Sequence, residues 1–470
     1  MLIGLCPVDV VPTGHTHGCS TKGGFMRHRR WLTPLVLLGA FAMIAAACSN
    51  SSSSAGGSTS GGAVDCNAAP GCVTVLSGAP IQIGTLLSVS GDNADLGNDS
   101  LYGIELAIDH LDGVFDGQAG QILNHPVQLQ NEDDTCSAEG GQAGSTKLAS
   151  NPDIVAVLGT SCSGAALGVA DKTLGDKGVV LLSPSNTNPA LTAPGTHNPY
   201  YFRTAHNDAI QGAVVADFAN QKLHAKTAAT IHDESPYTEG LTTAFKNSFT
   251  AAAIGGQVVD EESIDSSQQS YTPVLTKIGQ KSPDLLYGPD YTAECALILK
   301  QGRQVAGLAN TAFMGSDGCY ASNFIKLAGS AINGAYYSAP DLSAFDQKDF
   351  YTNEFLPAYK TLAGTAPISA FHAHAYDAVN LLAAAIEKAA VQNSDGSLTI
   401  PRVALKDAVQ STTDFQGIVT KYTCSDTGDC ATTVTIGVYL APNLAIEGGT
   451  GDGKPIFTET KTLQEALGTG

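Results

Sequence analysis

Residues Ile154 to Ala170 read "IVAVLGTSCSGAALGVA". An apolar, β-branched run stops at Gly159. Ser161, Cys162 and Ser163 follow it, and then a segment rich in small residues. Two chemistries fit hydroxyl and thiol groups placed between a strand and a helix. One is nucleophilic attack from a strand–turn–helix elbow; the other is anion binding by hydroxyls and free N–H groups at a helix start. Gly159-Thr160-Ser161-Cys162-Ser163-Gly164 is not the elbow pattern G-x-S-x-G, because the glycine needed at position 161, two before Ser163, is absent. No His/Asp pair stands in a loop where a triad would need it, and His232 follows a strand of a different series. A Cys162 held in a disulfide could not attack anything. The anion-binding reading is therefore preferred.

Other post-strand loops supply companions. "SPSNTNPAL" after "VVLL" brings Ser185, Asn186 and Thr187, and "HDESPYTEG" after "AATI" brings Tyr237. "GSDGCY" after "AFM" offers a lone carboxylate, Asp317. Ser163, Ser185 and Thr187 follow consecutive strands and would face one crevice, with the helix dipole at Ser163 aiding an anion without Arg or Lys. An anion site opposite an acid suits a zwitterion, and an α-amino acid is the obvious one. Each residue also has a plainer use: Ser163 as a helix cap, Thr187 and Asp317 as turn formers, Tyr237 as packing. His372 and His374 sit two apart on a helix, face different ways, and read as packing or hinge-side residues rather than metal ligands. Asp260, Glu261 and Glu262 read as a solvated strand end.

The elements that carry these loops alternate. From Ile81 the chain runs "IQIGTLL" (strand), "GNDSLYGIELAIDHLDG" (helix), "VQLQNED" (strand), "AEGGQAGSTKLASN" (helix), "DIVAVLG" (strand), "GAALGVADKTLGDKG" (helix) and "VVLLS" (strand). A second series begins at "NDAIQGAVVADFANQKL". It ends with helices around 346–363, 369–391 and 402–410 and the strands "GIVTKYTC" and "ATTVTIGVYL". Strand–helix alternation over this length means α/β architecture with parallel sheets, and two similar series mean two lobes. In such sheets the ligand lies at the carboxyl ends of the strands.

Composition narrows the partners. The 470 residues are 43% hydrophobic and 14% charged, with net charge −20, and the one basic concentration is Arg27, Arg29 and Arg30. Nucleic acid is excluded as a partner on that balance. "MRHRRWLTPLVLLGAFAMIAAACS" has the layout of an export signal, with Met26 the more natural start. Its Ala45-Ala46-Ala47-Cys48 ending resembles a bacterial lipobox, so Cys48 is the expected lipidation site and "SNSSSSAGGSTSGGA" the flexible tether after it. Setting aside Cys6, Cys19 and Cys48, eight cysteines remain, an even number that suits disulfides in an oxidising compartment. Local spacing suggests Cys66–Cys72 and Cys424–Cys430; Cys136–Cys162 and Cys295–Cys319 would then each join adjacent α/β units. Sequence leaves the connectivity open. A zinc site is the rival, though no C-x-x-C supports it.

From Ile81 to about Leu440 the chain resembles the branched-chain amino-acid type of ABC-transporter substrate-binding protein, with the type I periplasmic-binding-protein fold. The resemblance rests on "IGTLLSVSGDNADLG", "GIELAIDHLDG", "DDTCSAEGGQ" through "VLGTSCSG", "LLSPSNTNPALT", "YYFRTAHNDAIQG", "HDESPYTEGL" and "FMGSDG", in matching order and spacing. It implies a disulfide between Cys136 and Cys162 and a carboxylate contact from Ser163. It also implies head-group contacts from Ser185, Asn186 and Thr187, closure by Tyr237, and an ammonium contact from Asp317. Where the family has an aromatic in the first loop this chain has Leu96, and around "YGPDYTAEC" the alignment slips by one, which leaves the side-chain pocket position open between Asp290 and Tyr291. The resemblance implies a two-lobed protein with a three-segment hinge crossing near Arg203, Ala339 and Asp414. The expected layout is a signal peptide at 1–47, a tether at 48–78, one lobe from 79–202 plus 340–413, a second from 203–339 plus 414–445, and a tail at 446–470. The expected function is non-enzymatic and needs no cofactor. It is extracytoplasmic capture of an amino acid by hinge closure, from a lipid anchor in the membrane, with delivery to an ABC permease. The alternatives are an amide, urea or small carboxylic or aromatic acid as cargo, or a sensory module for a membrane receptor.

Overall fold

The structure is a computed structural model describing residues 66–444, 446–449 and 452–468. Cys48 and the signal-like segment lie outside the described residues. In chain order, the first lobe takes strands β1 (Cys72–Val75), β2 (Ile81–Leu87), β3 (Gln121–Ile122), β4 (His125–Asp133), β5 (Ile154–Gly159), β6 (Val180–Ser183) and β7 (Tyr201–Arg203). Helices α1 (Ala94–Asp109), α2 (Ala138–Ser150), α3 (Ser163–Ala165) and α4 (Asp171–Gly175) lie between them. The sheet runs β3-β4-β2-β5-β6-β7 and is parallel except for the β3 edge. β5 is buried along its whole length, which is why it reads as an unbroken apolar run.

The second lobe follows with α5 (Asp208–Gln221), β8 (Thr227–His232), α6 (Pro236–Thr250), β9 (Gln257–Ser263), α7 (Thr272–Gly279), β10 (Leu285–Tyr287), α8 (Thr292–Gly302), β11 (Ala312–Gly315), α9 (Ser322–Ala328) and β12 (Ala335–Pro340). The chain then returns to the first lobe with α10 (Lys348–Phe350), α11 (Leu356–Ala363), α12 (His372–Ala389), β13 (Val391–Gln392), β14 (Leu398–Pro401) and α13 (Arg402–Gln410). A short hairpin, β15 (Phe415–Gln416) with β16 (Lys421–Tyr422), leads to β17 (Thr433–Leu440), β18 (Phe457–Thr462) and α14 (Leu463–Leu467). The second sheet runs β18-β17-β12-β11-β10-β8-β9.

This is the two-lobed α/β fold expected, with differences. Both sheets are mixed: β17 pairs antiparallel with β12, and β18 antiparallel with β17. The segment Gly417–Cys424, read as one strand, contributes only the two residues of β16. Two segments outside the expected lobes carry strands: β1 pairs with β14, and β18 forms the edge of the second sheet. The helix expected from Gly164 to Gly178 is broken. α3 is one turn long, the backbone leaves helical geometry at Leu167 and at Gly168 (φ +70°), and α4 resumes at Asp171. Gly168 adopts a left-handed conformation that interrupts the helix, so the dipole behind Ser163 is that of a single turn.

The four disulfides are Cys66–Cys72 and Cys424–Cys430, the two pairs suggested by local spacing, and Cys136–Cys162 and Cys295–Cys319, whose pairing the sequence left open. In the first lobe α12 packs on α1 through a buried knot. Asp99 accepts from the Tyr359 hydroxyl (2.8 Å), the Phe371 and His372 amides (3.0 and 2.9 Å) and His372 Nδ1 (3.0 Å). His372 is thus a core residue. His374, on another face, lies against the segment after β7, where its carbonyl accepts from Thr204 Oγ1 (2.9 Å). Among the described residues no group of three His, Cys, Asp or Glu could hold a metal ion.

Candidate functional site

The carboxyl ends of β4, β5 and β6 form the first wall. β5 must end on glycine, because a Cβ at Gly159 would lie 2.1 Å from the Leu86 carbonyl oxygen. The loop after it is held from beneath by Asp134, whose carboxylate accepts from the amides of Ser161 (2.6 Å) and Cys136 (2.8 Å). Burial pushes the Asp134 carboxyl up to about 7 against these bonds. The Cys136–Cys162 disulfide ties the same two loops, with Cα atoms 5.0 Å apart. Ser161 is used internally: its hydroxyl accepts from the Ser88 amide at 2.9 Å. Ser163 opens α3, and its hydroxyl accepts from the Asn188 amide at 3.3 Å.

In the next loop Ser185 donates its hydroxyl to the Ser161 carbonyl (2.9 Å), which joins the two loops. The Asn186 side chain turns inward. Its Nδ2 donates to the Thr160 carbonyl (2.9 Å), and its Oδ1 accepts from Thr160 Oγ1 (3.1 Å) and the Tyr201 hydroxyl (3.3 Å). The Thr187 hydroxyl is buried and makes no hydrogen bond, while its carbonyl accepts from the Asp208 amide at 2.9 Å.

The second wall is built from β8, β11 and α5. Tyr237, one residue inside α6, reaches across to the β11 loop. Its hydroxyl lies 2.6 Å from Ser316 Oγ, donates to Asp317 Oδ1 (3.1 Å) and accepts from the Gly318 amide (3.1 Å). Gln211 on α5 donates to the same Asp317 oxygen (2.7 Å) and to Ser338 Oγ (2.9 Å), and its Oε1 bonds His206 Nε2. Burial raises the Asp317 carboxyl above its ordinary range, opposed by His206, Gln211 and Tyr237.

The walls touch. The Asn188 side-chain amide donates to the Pro236 carbonyl, and Asp95 of α1 accepts from Ser322 Oγ (2.7 Å) and the Asn323 amide (3.0 Å) of the second lobe. Cys162, Tyr237 and Tyr291 belong to one apolar cluster, with Leu96 packed against it. The rings of Tyr237 and Tyr291 stand 5.2 Å apart. Tyr291 is therefore the cleft-facing residue of the "YGPDY" loop. Asp290 turns toward the opposite face of the sheet, where Oδ2 comes within 3.3 Å of a Cβ built on Gly288, next to Ile231 and Phe313.

Sequence reasoning did not single out Gln211, Ser316 or Asp208 as parts of this wall. Gln211 and Asp208 stand three apart on α5, a spacing that puts them on one face, but nothing local says the face meets β11. The chemistry on offer is recognition: hydroxyls on one wall, a buried carboxylate on the other. Nucleophilic chemistry has no support, since Cys162 is in a disulfide and the Ser163 hydroxyl bonds a backbone amide.

Comparison with known proteins agrees with this fold. The family model described as "Periplasmic binding protein" matches residues 80–437. The chain is 28% identical over 352 residues to the Leu/Ile/Val-binding protein homolog 3 of Brucella melitensis, covering 75% of this chain and 89% of that protein. Among solved structures, the leucine-binding protein LivK of Thermotoga maritima superposes with a TM-score of 0.68 at 24% identity, over 82% of this chain and 99% of that one. The branched-chain amino-acid transporter substrate-binding protein LivJ of Streptococcus pneumoniae, in complex with isoleucine, gives 0.66 at 25% identity, again over 82% and 99%.

Proposed function

The chain belongs to the periplasmic binding protein family, and from that premise we propose that it is the extracytoplasmic substrate-binding component of an ABC importer for a small α-amino acid. The observation that carries the reading is Asp317. It is a buried carboxylate oriented by Tyr237 and Gln211, and it stands in the wall opposite the Ser163 and Ser185–Thr187 loops. A ligand ammonium at Asp317 and a ligand carboxylate at Ser163 and neighbouring amides would form charge-assisted hydrogen bonds in a closed, desolvated cleft. The names of the relatives, Leu/Ile/Val-binding and leucine-binding, favour a branched-chain or related side chain packed near Tyr291 and Leu96.

Capture proceeds by rotation of the lobes about the three crossings, with no covalent step. The lipobox-like Cys48 and the Ser/Gly segment after it support attachment to the membrane, where the protein would meet its permease. A thermal-shift screen of the soluble domain from Ala63 onward tests the reading. Leucine, isoleucine, valine or another α-amino acid raises Tm, and the shift is lost in Asp317→Ala and Ser163→Ala. No shift with any amino acid overturns it.

A further inference from the structure

One carboxylate in the cleft has no structural employment. Asp208 is fully buried at the first turn of α5, and neither of its carboxylate oxygens makes a hydrogen bond. The obvious structural role, capping α5, is already filled: the Asn207 side chain accepts from the Ala209 amide at 2.9 Å. Asp208 shares its helix face with Gln211, which binds Asp317 Oδ1 at 2.7 Å, so both acids approach the same point. Its amide bonds the Thr187 carbonyl at 2.9 Å, which places the unpartnered Thr187 hydroxyl beside it. Burial raises the hydroxyls of Tyr237 and Tyr287 well above their ordinary range, and both acids add to it, Asp317 more at Tyr237 and Asp208 more at Tyr287. A buried carboxylate without a partner is costly unless a ligand supplies one.

We infer that Asp208 is a second carboxylate of the ammonium subsite, and that Asp208, Asp317 and the Thr187 hydroxyl offer three acceptors to the three N–H donors of a primary ammonium. This rests on the proposed amino-acid reading and narrows it. The cleft selects primary α-amines over secondary amines and over acids that lack an amine. An N-methyl group removes one donor and leaves a buried acceptor unpaired; a des-amino ligand leaves all three unpaired. Burial, with Asp317 close by, pushes the Asp208 carboxyl well above its ordinary range against the Arg203 guanidinium, and an incoming ammonium would supply the charge that favours its ionised form.

The test is titration calorimetry on the full-length protein and its Asp208→Asn variant. The probes are leucine, isoleucine and valine, their N-methyl derivatives and 4-methylpentanoate, with Tm recorded for each ligand-free protein. The expected result is wild-type discrimination of at least 30-fold against each N-methyl form. In Asp208→Asn, affinity for the parent amino acid falls at least 30-fold while ligand-free Tm stays level or rises, because an unpartnered buried carboxyl is gone. Unchanged affinity in Asp208→Asn, or a lowered Tm with unchanged affinity, makes Asp208 structural and overturns the inference. If Asp208→Asn does not fold, wild-type protein that binds N-methyl and parent amino acids equally overturns it alone. Wild-type protein that binds none of the amines overturns the amino-acid reading first, and this inference with it.

Discussion

Arg203 Nε donates to Asp429 Oδ1 at 2.6 Å, and both side chains are buried, at 0% and 2% exposure. The pair joins the end of β7 to the turn closed by the Cys424–Cys430 disulfide. Two backbone bonds reinforce it: Arg203 N to the Gly428 carbonyl (3.0 Å) and Cys430 N to the Arg203 carbonyl (3.1 Å). The same guanidinium donates to the carbonyls of Asn186 (3.2 Å) and Asn188 (2.9 Å) and to Thr192 Oγ1 (2.7 Å). One buried cation thus fixes the loop after β6 to the turn that carries Asp429.

Removing either partner strands the other. Arg203→Met is expected to cost about 3–5 kcal/mol of stability, since Asp429 is left buried and unpaired. Urea denaturation of the two proteins measures it. A loss below about 1 kcal/mol would mean that water reaches Asp429.

Tyr237 positions Asp317 as well as closing the cleft. Tyr237→Phe removes the bonds to Asp317, Ser316 and the Gly318 amide while keeping the ring against Tyr291. Amino-acid affinity is expected to fall about 10- to 100-fold, from loss of a hydrogen bond to a charged group. Calorimetry reads the change, and an unaltered Kd would remove Tyr237 from the site.

Stability should depend on pH in a stated direction. Burial pushes both Asp134 and Asp377 up to about 7, against their backbone hydrogen bonds. A carboxyl whose pKa is raised by folding holds its proton in the folded state between about 4 and 7, where the unfolded chain has lost it. Its contribution is complete below that window and is lost as pH rises through it, by at most about 1.4 kcal/mol per pH unit per group. Asp99 runs the other way. Burial raises its pKa, but His372 and Tyr359 outweigh burial and hold it below the ordinary range, so its contribution is lost only in acid. Urea midpoints should therefore rise from pH 7.5 to pH 5, and Asp134→Asn should flatten the rise. A midpoint that falls over this range would show both carboxylates ionised in the folded protein.

Much of this was readable beforehand, and the failures have causes. β5 and its loop were clear because an apolar run that stops at glycine is local information. Local spacing suggested Cys66–Cys72 and Cys424–Cys430, while the pairing of the other four cysteines was left open by the residues, with Cys136–Cys162 implied by the resemblance. The broken helix after Ser163 was missed because small residues with Gly168 among them suit a helix and a kink alike. β18 was placed in a tail because its pairing with β17 is long-range and its half-exposed sequence "FTETKT" has no apolar face to signal it. The choice between Asp290 and Tyr291 turned on which way a loop residue points, which has no periodicity to read. Asp208, in the first turn of α5, was not singled out by the sequence. Only the neighbouring Asn207 cap and the burial of its carboxylate set it apart.

Close helix packing gives a prediction away from the cleft. A Cβ on Gly103 of α1 would lie 2.1 Å from the His372 carbonyl oxygen at the start of α12. Gly103→Ala must push the two helices apart and is expected to cost about 1–3 kcal/mol. Thermal denaturation reads this as a lowered Tm, and an unchanged Tm would show that α12 shifts freely.

The account stands on recognition of both ends of a zwitterion in one closed cleft. The direct measurement is calorimetric titration of the wild-type protein with leucine, with 4-methylpentanoate, which lacks the ammonium, and with 3-methylbutylamine, which lacks the carboxylate. The account predicts that leucine binds at least about 100-fold more tightly than either half, because each half leaves buried charge-assisted partners unmet. Equal binding of leucine and either half would contradict it.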